Sequence, residues 1–223
     1  MAFKSLLLDI DGVLIRDKLL LEHVKDNCVN YVRSKLPECK NPIETNRLLH
    51  LSHGHTARGL TTAFGIDASD FNARVYDKSL MDHLAEVIYA TDFQQDAKEV
   101  HDLVRNDWIV TLFTNAPIEW AGPVARAIGD DVFVSCAGAD VTKSPLKPAV
   151  AAYTHFPKHH THIYIDDSLK NLGTARWLPN WHPVYFNEGT KEERLWCPQI
   201  GSIWELCLYI NSVDQMIKDN HEA

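Results

Sequence analysis

Short apolar runs, each followed by polar residues, recur along this 223-residue chain and constrain its fold more than any other feature. They have the length of ordinary β-strands and are mostly continuous. Continuous apolar strands are typical of a parallel sheet that is covered on both faces. The runs are Phe3–Ile10, Ile109–Phe113, Val132–Val134, His162–Ile165 and Pro183–Phe186.

Segments with a helical pattern lie between most of these runs. They are Asp96–Asn106, Ile118–Ile128, Pro148–Phe156 and Ser168–Trp177. Strands that alternate with helices predict an α/β fold with right-handed crossovers.

One interval, residues 16–90, contains no convincing strand. Asn41, Pro42 and Glu44 together form the pattern of a helix start, with a capping residue, a first-turn proline and a capping-box glutamate. A second helix is predicted to start after Asp67. We therefore predict a core formed by residues 1–15 and 91–223, and an all-helical insertion formed by residues 16–90.

Composition and charge exclude several classes of protein. The chain carries 22 Lys and Arg against 30 Asp and Glu, a net charge of −8, which does not suit a nucleic-acid polymer as partner. No apolar run approaches the ~20 residues that cross a bilayer, and Asp9 and Asp11 interrupt the only run near the start that could resemble a signal peptide. The five cysteines form no CxxC pair. We expect a cytoplasmic protein with reduced thiols, of undetermined oligomeric state.

Two carboxylates follow the first predicted strand directly, in the sequence Asp9-Ile-Asp11-Gly12. Ligands of parallel sheets bind at the carboxyl ends of the strands, where these side chains are expected. Two carboxylates this close repel each other unless a cation lies between them or one is protonated. The alternative is a pair of aspartates that only caps a loop.

Polar residues at the other strand ends argue against that alternative. Thr114 and Asn115 offer a hydroxyl and a backbone N–H to an anion, and Asp166 and Asp167 offer the oxygen ligands that Mg²⁺ prefers. Lys147 precedes a predicted helix and is suited to neutralising phosphate charge. The combination predicts a site for a phosphorylated ligand.

The chain resembles the haloacid dehalogenase (HAD) superfamily of aspartate-nucleophile phosphatases over essentially its full length. Four motifs carry the resemblance: LLLDIDGVL (6–14), LFTNAP (112–117), KP (147–148) with the AVAAY that follows, and IYIDDSLKNLGTA (163–175). The resemblance implies a Rossmann-like parallel-sheet core, and a helical cap inserted after the first strand in one subfamily.

The resemblance also implies roles for individual residues. Asp9 corresponds to the nucleophile that forms an aspartyl-phosphate, and Asp11 to the general acid and base. Thr114 and Asn115 correspond to the residues that hold the phosphoryl oxygens. Lys147 corresponds to the cation that stabilises their charge.

A Mg²⁺ ion is the cofactor implied by the same resemblance. Its expected ligands are Asp9, the backbone carbonyl of Asp11, and Asp166, with Asp167 as a further ligand or a support through water. Asp11 also favours phosphate-ester hydrolysis over dehalogenation, because halide leaves as an anion and needs no acid.

The chain departs from the family pattern in one place. The segment between Lys147 and Asp166 is shorter than expected, so its helix must be trimmed. Lys143 is therefore an alternative to Lys147, which is preferred because Pro148 and an apolar run follow it.

The segment HGHTARGLTTAFGIDASDFNARVYDKSL (53–80) resembles the pyrimidine 5′-nucleotidase-like group of the superfamily. This likeness implies a nucleoside 5′-monophosphate, or a related small phosphomonoester, as substrate. Candidate contacts to the leaving group are Arg16, His53, His55 and Arg58, although each is also consistent with a solvated or helix-terminal residue.

Histidines cluster before the fourth predicted strand, at His155, His159, His160 and His162. They are expected on the side of the sheet away from the motif ends, so we interpret them as a solvated turn rather than as a metal site.

The sequence and the resemblance thus favour a Mg²⁺-dependent phosphatase of a small phosphorylated metabolite, with a nucleoside 5′-monophosphate as the expected substrate. Alternatives are a phosphatase of a sugar phosphate or another small metabolite and, ranked below it, a phosphomutase or a catalytically silent protein of the same fold. Retention of the whole motif set argues against the silent protein.

Overall fold

The computed structural model describes residues 3–136, 144–189 and 195–222, with side chains of the last helix described to residue 213. Within these residues, a parallel sheet has the strand order β3-β2-β1-β4-β5-β6. The strands are β1 (Lys4–Leu8), β2 (Trp108–Phe113), β3 (Phe133–Ser135), β4 (Thr161–Asp166), β5 (Trp181–Phe186) and β6 (Gln199–Ile200). The predicted α/β fold is confirmed.

Strand β1 lies in the middle of the sheet, and its residues Leu6, Leu7 and Leu8 are completely buried. This burial on both faces explains why its sequence is apolar without alternation. Leu8 is in register with Leu112 of β2 and Ile165 of β4. The residues that follow on the three strands therefore lie at one edge of the sheet.

The helices occupy the intervals between the strands. They are α1 (Lys18–Lys35), α2 (Pro42–His53), α3 (Thr56–Phe64), α4 (Ala68–Val75), α5 (Lys78–Tyr89), α6 (Thr91–Val104), α7 (Ile118–Ile128), α8 (Leu169–Ala175) and α9 (Ile203–Glu222). Among the described helices, none is long and apolar enough to span a membrane.

The predicted helix starts between β1 and β2 are confirmed. Asn41 accepts a hydrogen bond from the Glu44 backbone N–H at 3.1 Å, with Pro42 in the first turn, and Asp67 caps α4. The Glu44 carboxylate pairs with Arg47 at 2.6 Å rather than closing a capping box.

Residues 16–90 contribute to two hydrophobic clusters. One cluster lies among the helices of this interval and contains Val32, Leu60, Phe71 and Val75. Leu146 joins it from outside the interval. Leu80, Leu84 and Ile88 of α5 pack instead into the cluster around β1. The proposed boundary between core and insertion stays a prediction.

The predicted helix Pro148–Phe156 is wrong. The segment forms only a 3₁₀ turn at Val150–Ala152, followed by further turns. Pro157 disfavours helical backbone at Phe156, and Tyr153 and Phe156 pack their rings against Phe113. The shortening expected between Lys147 and Asp166 therefore consists of a 3₁₀ turn and further turns in place of a helix.

The histidine turn before β4 is only partly as predicted. It lies at the amino end of the sheet, away from the motif ends, but His160 and His162 are buried instead of solvated. The His160 Nδ1 and Ser5 Oγ atoms are 2.8 Å apart, and the His162 ring packs on Trp181 with its centroid 4.8 Å away. Ring packing against neighbouring strands keeps these side chains out of water.

Candidate active site

The turn after β1 carries the two predicted carboxylates. The Ile10 carbonyl accepts hydrogen bonds from the N–H groups of Leu14 and Ile15, both at 2.9 Å, which folds the chain tightly. Gly12 has a φ of +80°, and a Cβ there would lie 2.2 Å from an Asp167 carboxylate oxygen. Glycine is needed at this position because the turn is left-handed and its backbone abuts Asp167.

Lys147 is buried between two of the aspartates. Its Nζ lies 3.0 Å from Asp9 Oδ1 and 2.8 Å from Asp166 Oδ2, and it donates to the Phe113 carbonyl at 2.7 Å. Burial opposes the charged ammonium, but the charges of Asp166 and Asp9 outweigh it and raise the pKa of Lys147. The ammonium therefore stays protonated. The alternative residue, Lys143, lies outside the described residues.

The acidic group around Lys147 holds more negative than positive charge. Carboxylate oxygens of Asp9, Asp166 and Asp167 lie within 4.8 Å of one another. Burial raises the pKa of Asp9 well above its usual range, against the opposing effect of Lys147. Burial, with the charge of Asp166, raises the pKa of Asp167 to about 6. Three carboxylates around one ammonium form a donor set that fits a hard divalent cation.

Asp166 and Asp167 differ in their surroundings. Asp166 is fully buried, and it accepts hydrogen bonds from Lys147, the Tyr164 hydroxyl, the Ser168 N–H and the Asn171 amide. Asp167 lines the cavity above Asp9. Asp167 is thus the more open of these two carboxylates, whereas Asp166 holds Lys147.

Asp11 faces the same cavity and is held by an indole. Trp120 of α7 donates from Nε1 to Asp11 Oδ1 at 2.9 Å. Burial raises the pKa of Asp11 to about 6, although the Trp120 hydrogen bond lowers it. A carboxyl group with this pKa can donate a proton at one stage near neutral pH and accept one at another.

The two polar residues that follow β2 have different partners. Thr114 is buried, and its Oγ1 accepts from the Ala116 N–H at 3.0 Å. The Asn115 side chain bonds to the backbone of Lys147, accepting from its N–H at 2.8 Å and donating to its carbonyl at 2.9 Å. Asn115 lies at the predicted site, but its amide is directed toward Lys147.

A cavity of about 440 Å³ lies between this edge of the sheet and the helices that follow β1. Asp9, Asp11, Thr114, Lys147 and Asp167 line it from the sheet. An apolar wall, formed by Leu21, Val24, Cys28, Phe71 and Tyr76 of the insertion, faces them.

Of the four predicted contacts to a leaving group, only His55 lines this cavity. Its Nδ1 accepts from the Ala57 N–H at 3.1 Å, so it caps α3. Burial, together with the charges of His50 and Arg58, lowers the pKa of His55 to about 3. His55 is therefore a neutral side chain near the cavity.

The structure places the other three predicted contacts elsewhere. The Arg16 guanidinium is engaged by two carboxylates, Asp96 at 2.6 Å and Glu188 at 2.7 Å. Arg58 donates to the Ser144 carbonyl, and His53 lies in the last turn of α2 without lining the cavity.

The candidates taken from the sequence did not include four residues at or beside this cavity, which are Trp120, Phe71, Tyr76 and Lys170. Trp120 carries a weak signal, since a buried indole needs an acceptor and it closely follows the TNAP motif. Phe71 and Tyr76 occur in the segment whose likeness suggested a substrate. Lys170 of α8 donates to the Leu51 carbonyl at 3.1 Å, a contact that no local pattern indicates.

No protein-family model and no curated protein sequence matches the chain. Solved structures do match it in fold. A HAD phosphatase from Thermococcus onnurineus has 16% sequence identity and a TM-score of 0.58, over 93% of this chain and 98% of that one. A 2-haloacid dehalogenase from Pseudomonas syringae has 15% identity and a TM-score of 0.54, over 94% and 99%. A haloacid dehalogenase-like hydrolase from Streptococcus pneumoniae has 14% identity and a TM-score of 0.51, over 94% and 99%.

At these identities the likeness establishes the fold. The chain has the Rossmann-like α/β fold of HAD hydrolases, and these solved structures include a phosphatase and a dehalogenase.

Proposed function

We propose that the protein is a Mg²⁺-dependent phosphomonoester hydrolase that works through an aspartyl-phosphate on Asp9. One observation carries the proposal: Asp9 and Asp11 line one cavity while the buried Lys147 ammonium lies 3.0 Å from Asp9. A nucleophile, a proton donor and a cation thus surround one space that can hold a phosphoryl group.

In the first step, an Asp9 carboxylate oxygen attacks phosphorus and the bond to the leaving oxygen breaks. Asp11 gives its proton to that oxygen, so that the product leaves as an alcohol. In the second step, Asp11 accepts a proton from water as the water oxygen attacks phosphorus. The bond to Asp9 breaks, and inorganic phosphate and a free Asp9 carboxylate result. Two displacements with a covalent intermediate replace one difficult hydrolysis.

Asp9 and Asp167 would hold the metal ion, together with the backbone carbonyl of Asp11, and Asp166 would support them. Bound Mg²⁺ would neutralise phosphate charge and lower the repulsion between phosphate and carboxylates. Lys147, held by Asp166, supplies a second positive charge at Asp9.

Phosphate-ester hydrolysis is favoured over dehalogenation by the placement of Asp11. Burial raises its pKa despite the Trp120 hydrogen bond, which fixes the position of the carboxyl group, and this combination suits a group that protonates a leaving alcohol. A halide leaves as an anion and gives such a group nothing to protonate.

A nucleoside 5′-monophosphate is the proposed substrate. The likeness of residues 53–80 to the nucleotidase-like group supports it, as does a cavity of about 440 Å³ whose far wall carries the partly buried Tyr76 ring. Aromatic rings bind planar bases by stacking. A sugar phosphate is the second candidate, because His50, His55 and Thr56 also line the cavity and can bond to hydroxyl groups.

The test is phosphate release by purified protein. We expect hydrolysis of an aryl phosphate with Mg²⁺, loss of activity on chelation, and recovery on adding Mg²⁺ back. Asp9→Asn should lower turnover by about 10⁴-fold or more, as removal of a nucleophile does. Asp131→Asn, at an exposed carboxylate, is the matched control and should keep full activity.

Undiminished activity of Asp9→Asn would overturn the proposed nucleophile. A panel of phosphorylated metabolites then tests the substrate. Faster hydrolysis of sugar phosphates than of nucleotides would replace the proposed substrate with the second candidate.

A further inference from the structure

The side-chain amide of Asn115 bonds to both backbone polar groups of Lys147, the N–H and the carbonyl. Asn115 Oδ1 accepts from the Lys147 N–H at 2.8 Å, and Nδ2 donates to the Lys147 carbonyl at 2.9 Å. The same Nδ2 also donates to the Gly54 carbonyl at 3.2 Å. An amide nitrogen has two hydrogens to donate, and these carbonyls accept them both.

The other end of Lys147 is held by the same strand end. Its Nζ donates to the carbonyl of Phe113, which lies two residues before Asn115. The end of β2 therefore holds Lys147 at its backbone and at its ammonium. A lysine side chain has much rotational freedom, so fixing both ends limits where its charge can go.

Gly54 brings the insertion into this arrangement. It follows α2 with a φ of +75°, and a Cβ there would lie 2.9 Å from the Lys147 carbonyl oxygen. Any other residue would be strained and would press on Lys147. The turn between α2 and α3 thus contacts the backbone of the residue whose ammonium lies at Asp9.

We propose that Asn115 is a positioning residue whose side chain fixes the Lys147 backbone, joins it to the turn at Gly54, and acts on the phosphoryl group only through Lys147, while its backbone N–H keeps the role expected from the sequence. This rests on the proposed function. The competing role, in which the Asn115 side chain contacts the phosphoryl oxygens, requires the amide to leave three backbone partners.

A double-mutant cycle separates the two roles, because a residue that acts only through Lys147 has no effect once the lysine is gone. The measurements are kcat and KM for a fluorogenic aryl phosphate with Mg²⁺. Asn115→Ala is made in the wild-type protein and in Lys147→Met. Thr114→Val is the matched comparison, since Thr114 lies beside Asn115 and is the expected phosphate contact.

We expect Asn115→Ala to lower kcat by about 30-fold in the wild type, with KM changed less than about threefold. In Lys147→Met it should lower kcat by less than about twofold, whereas Thr114→Val should lower kcat in both backgrounds. A further tenfold loss from Asn115→Ala in Lys147→Met would overturn the proposal, and so would an unchanged kcat in the wild-type background.

Crystal structures decide the question where Lys147→Met does not fold or has no measurable rate. In Asn115→Ala, the Lys147 ammonium should no longer lie within about 3.5 Å of both Asp9 and Asp166, beyond the range of hydrogen bonds to those carboxylates. An ammonium in its wild-type position would contradict positioning. Asn115→Ser serves if the alanine variant is unstable. Absence of phosphatase activity in the wild type would refute the proposed function instead, and the structural comparison would still test Asn115.

Discussion

The two ends of the sheet both bury titratable side chains, but they differ in how the charge is balanced. At the carboxyl end, Asp9, Asp166 and Asp167 surround one ammonium and face a cavity. At the amino end, the His160 ring lies 2.8 Å from Ser5 Oγ and the His162 ring lies 2.9 Å from the Pro157 carbonyl.

The two ends of the sheet favour opposite protonation states of their basic side chains. It lowers the pKa of His160 and of His162, which favours their neutral form, whereas Lys147 is kept charged by its carboxylates. Each neutral ring has one nitrogen at hydrogen-bonding distance from a neighbour, whereas excess carboxylate charge has to be relieved by protonation or by a further cation. Uncompensated charge beside a cavity distinguishes a candidate active site from buried polar packing.

The largest effect is expected from Lys147→Met at the carboxyl end. Removing the ammonium leaves Asp9 and Asp166 buried without their cation, which should cost about 3–5 kcal/mol of the free energy of unfolding at pH 7. Urea denaturation measures it. Lys98→Met removes an exposed ion pair with Asp102 and should leave stability almost unchanged. Equal stabilities of the two variants would show that the buried charge is compensated without Lys147.

A smaller and more selective effect is expected from Trp120→Phe. The substitution keeps an aromatic ring beside Tyr76, whose centroid lies 5.7 Å from that of Trp120, but removes the donor to Asp11. The kcat/KM for an alkyl phosphate, whose leaving group needs a proton, should fall by about tenfold, and that for an activated aryl phosphate by less than about twofold, because kcat/KM reports only the first displacement.

The ratio of the two rates is the readout for Trp120→Phe. Trp108→Phe, at a buried indole in the first position of β2, is the control and should leave the ratio unchanged. Equal slowing of both substrates by Trp120→Phe would assign Trp120 a structural role only.

The smallest effect is expected from His162→Phe at the amino end. Burial lowers the pKa of His162, so the unfolded chain takes up the proton first. The stability that neutral His162 contributes is present above its unfolded pKa of about 6.5 and is lost as pH falls. The variant should therefore lose less stability than the wild type between pH 7 and pH 5, while its phosphatase rate at pH 7 stays within about twofold.

Thermal unfolding at several pH values measures this difference. His160, His159 and His182 also face His162, so the exposed His159 is replaced by Asn as the control, which should keep most of the wild-type pH dependence. A large loss of phosphatase rate in His162→Phe would remove the functional distinction between the two ends.

The parts of the molecule that sequence could predict are those set by local pattern and register. Apolar runs located β1, β2 and β4, and parallel pairing then places the residues that follow them at one edge. For that reason Asp9, Thr114 and Asp166 could be expected together before any contact was known. The helix caps Asn41 and Asp67 could be predicted in the same way, because each bonds to the backbone of the helix that it begins.

What sequence could not predict depends on partners that are distant along the chain. Arg16 was expected at a substrate but pairs with Asp96, 80 positions away. The Asn115 amide is engaged by Lys147 and Gly54, which no spacing rule connects. The same reason applies to His160, whose burial depends on Ser5 and Phe3 of another strand region.

Detection of a phosphoryl analogue on Asp9 shows directly whether this carboxylate accepts the phosphoryl group. Beryllium fluoride with Mg²⁺ should form an acyl-phosphate mimic on the Asp9 carboxylate, visible as protein-bound ¹⁹F resonances and as density joined to Asp9 in a crystal. Asp9→Asn should show neither signal, and Asp131→Asn should show both. An adduct that persists in Asp9→Asn would contradict the assignment of Asp9 as the nucleophile. The absence of any adduct in a wild-type protein that releases phosphate would contradict it as well.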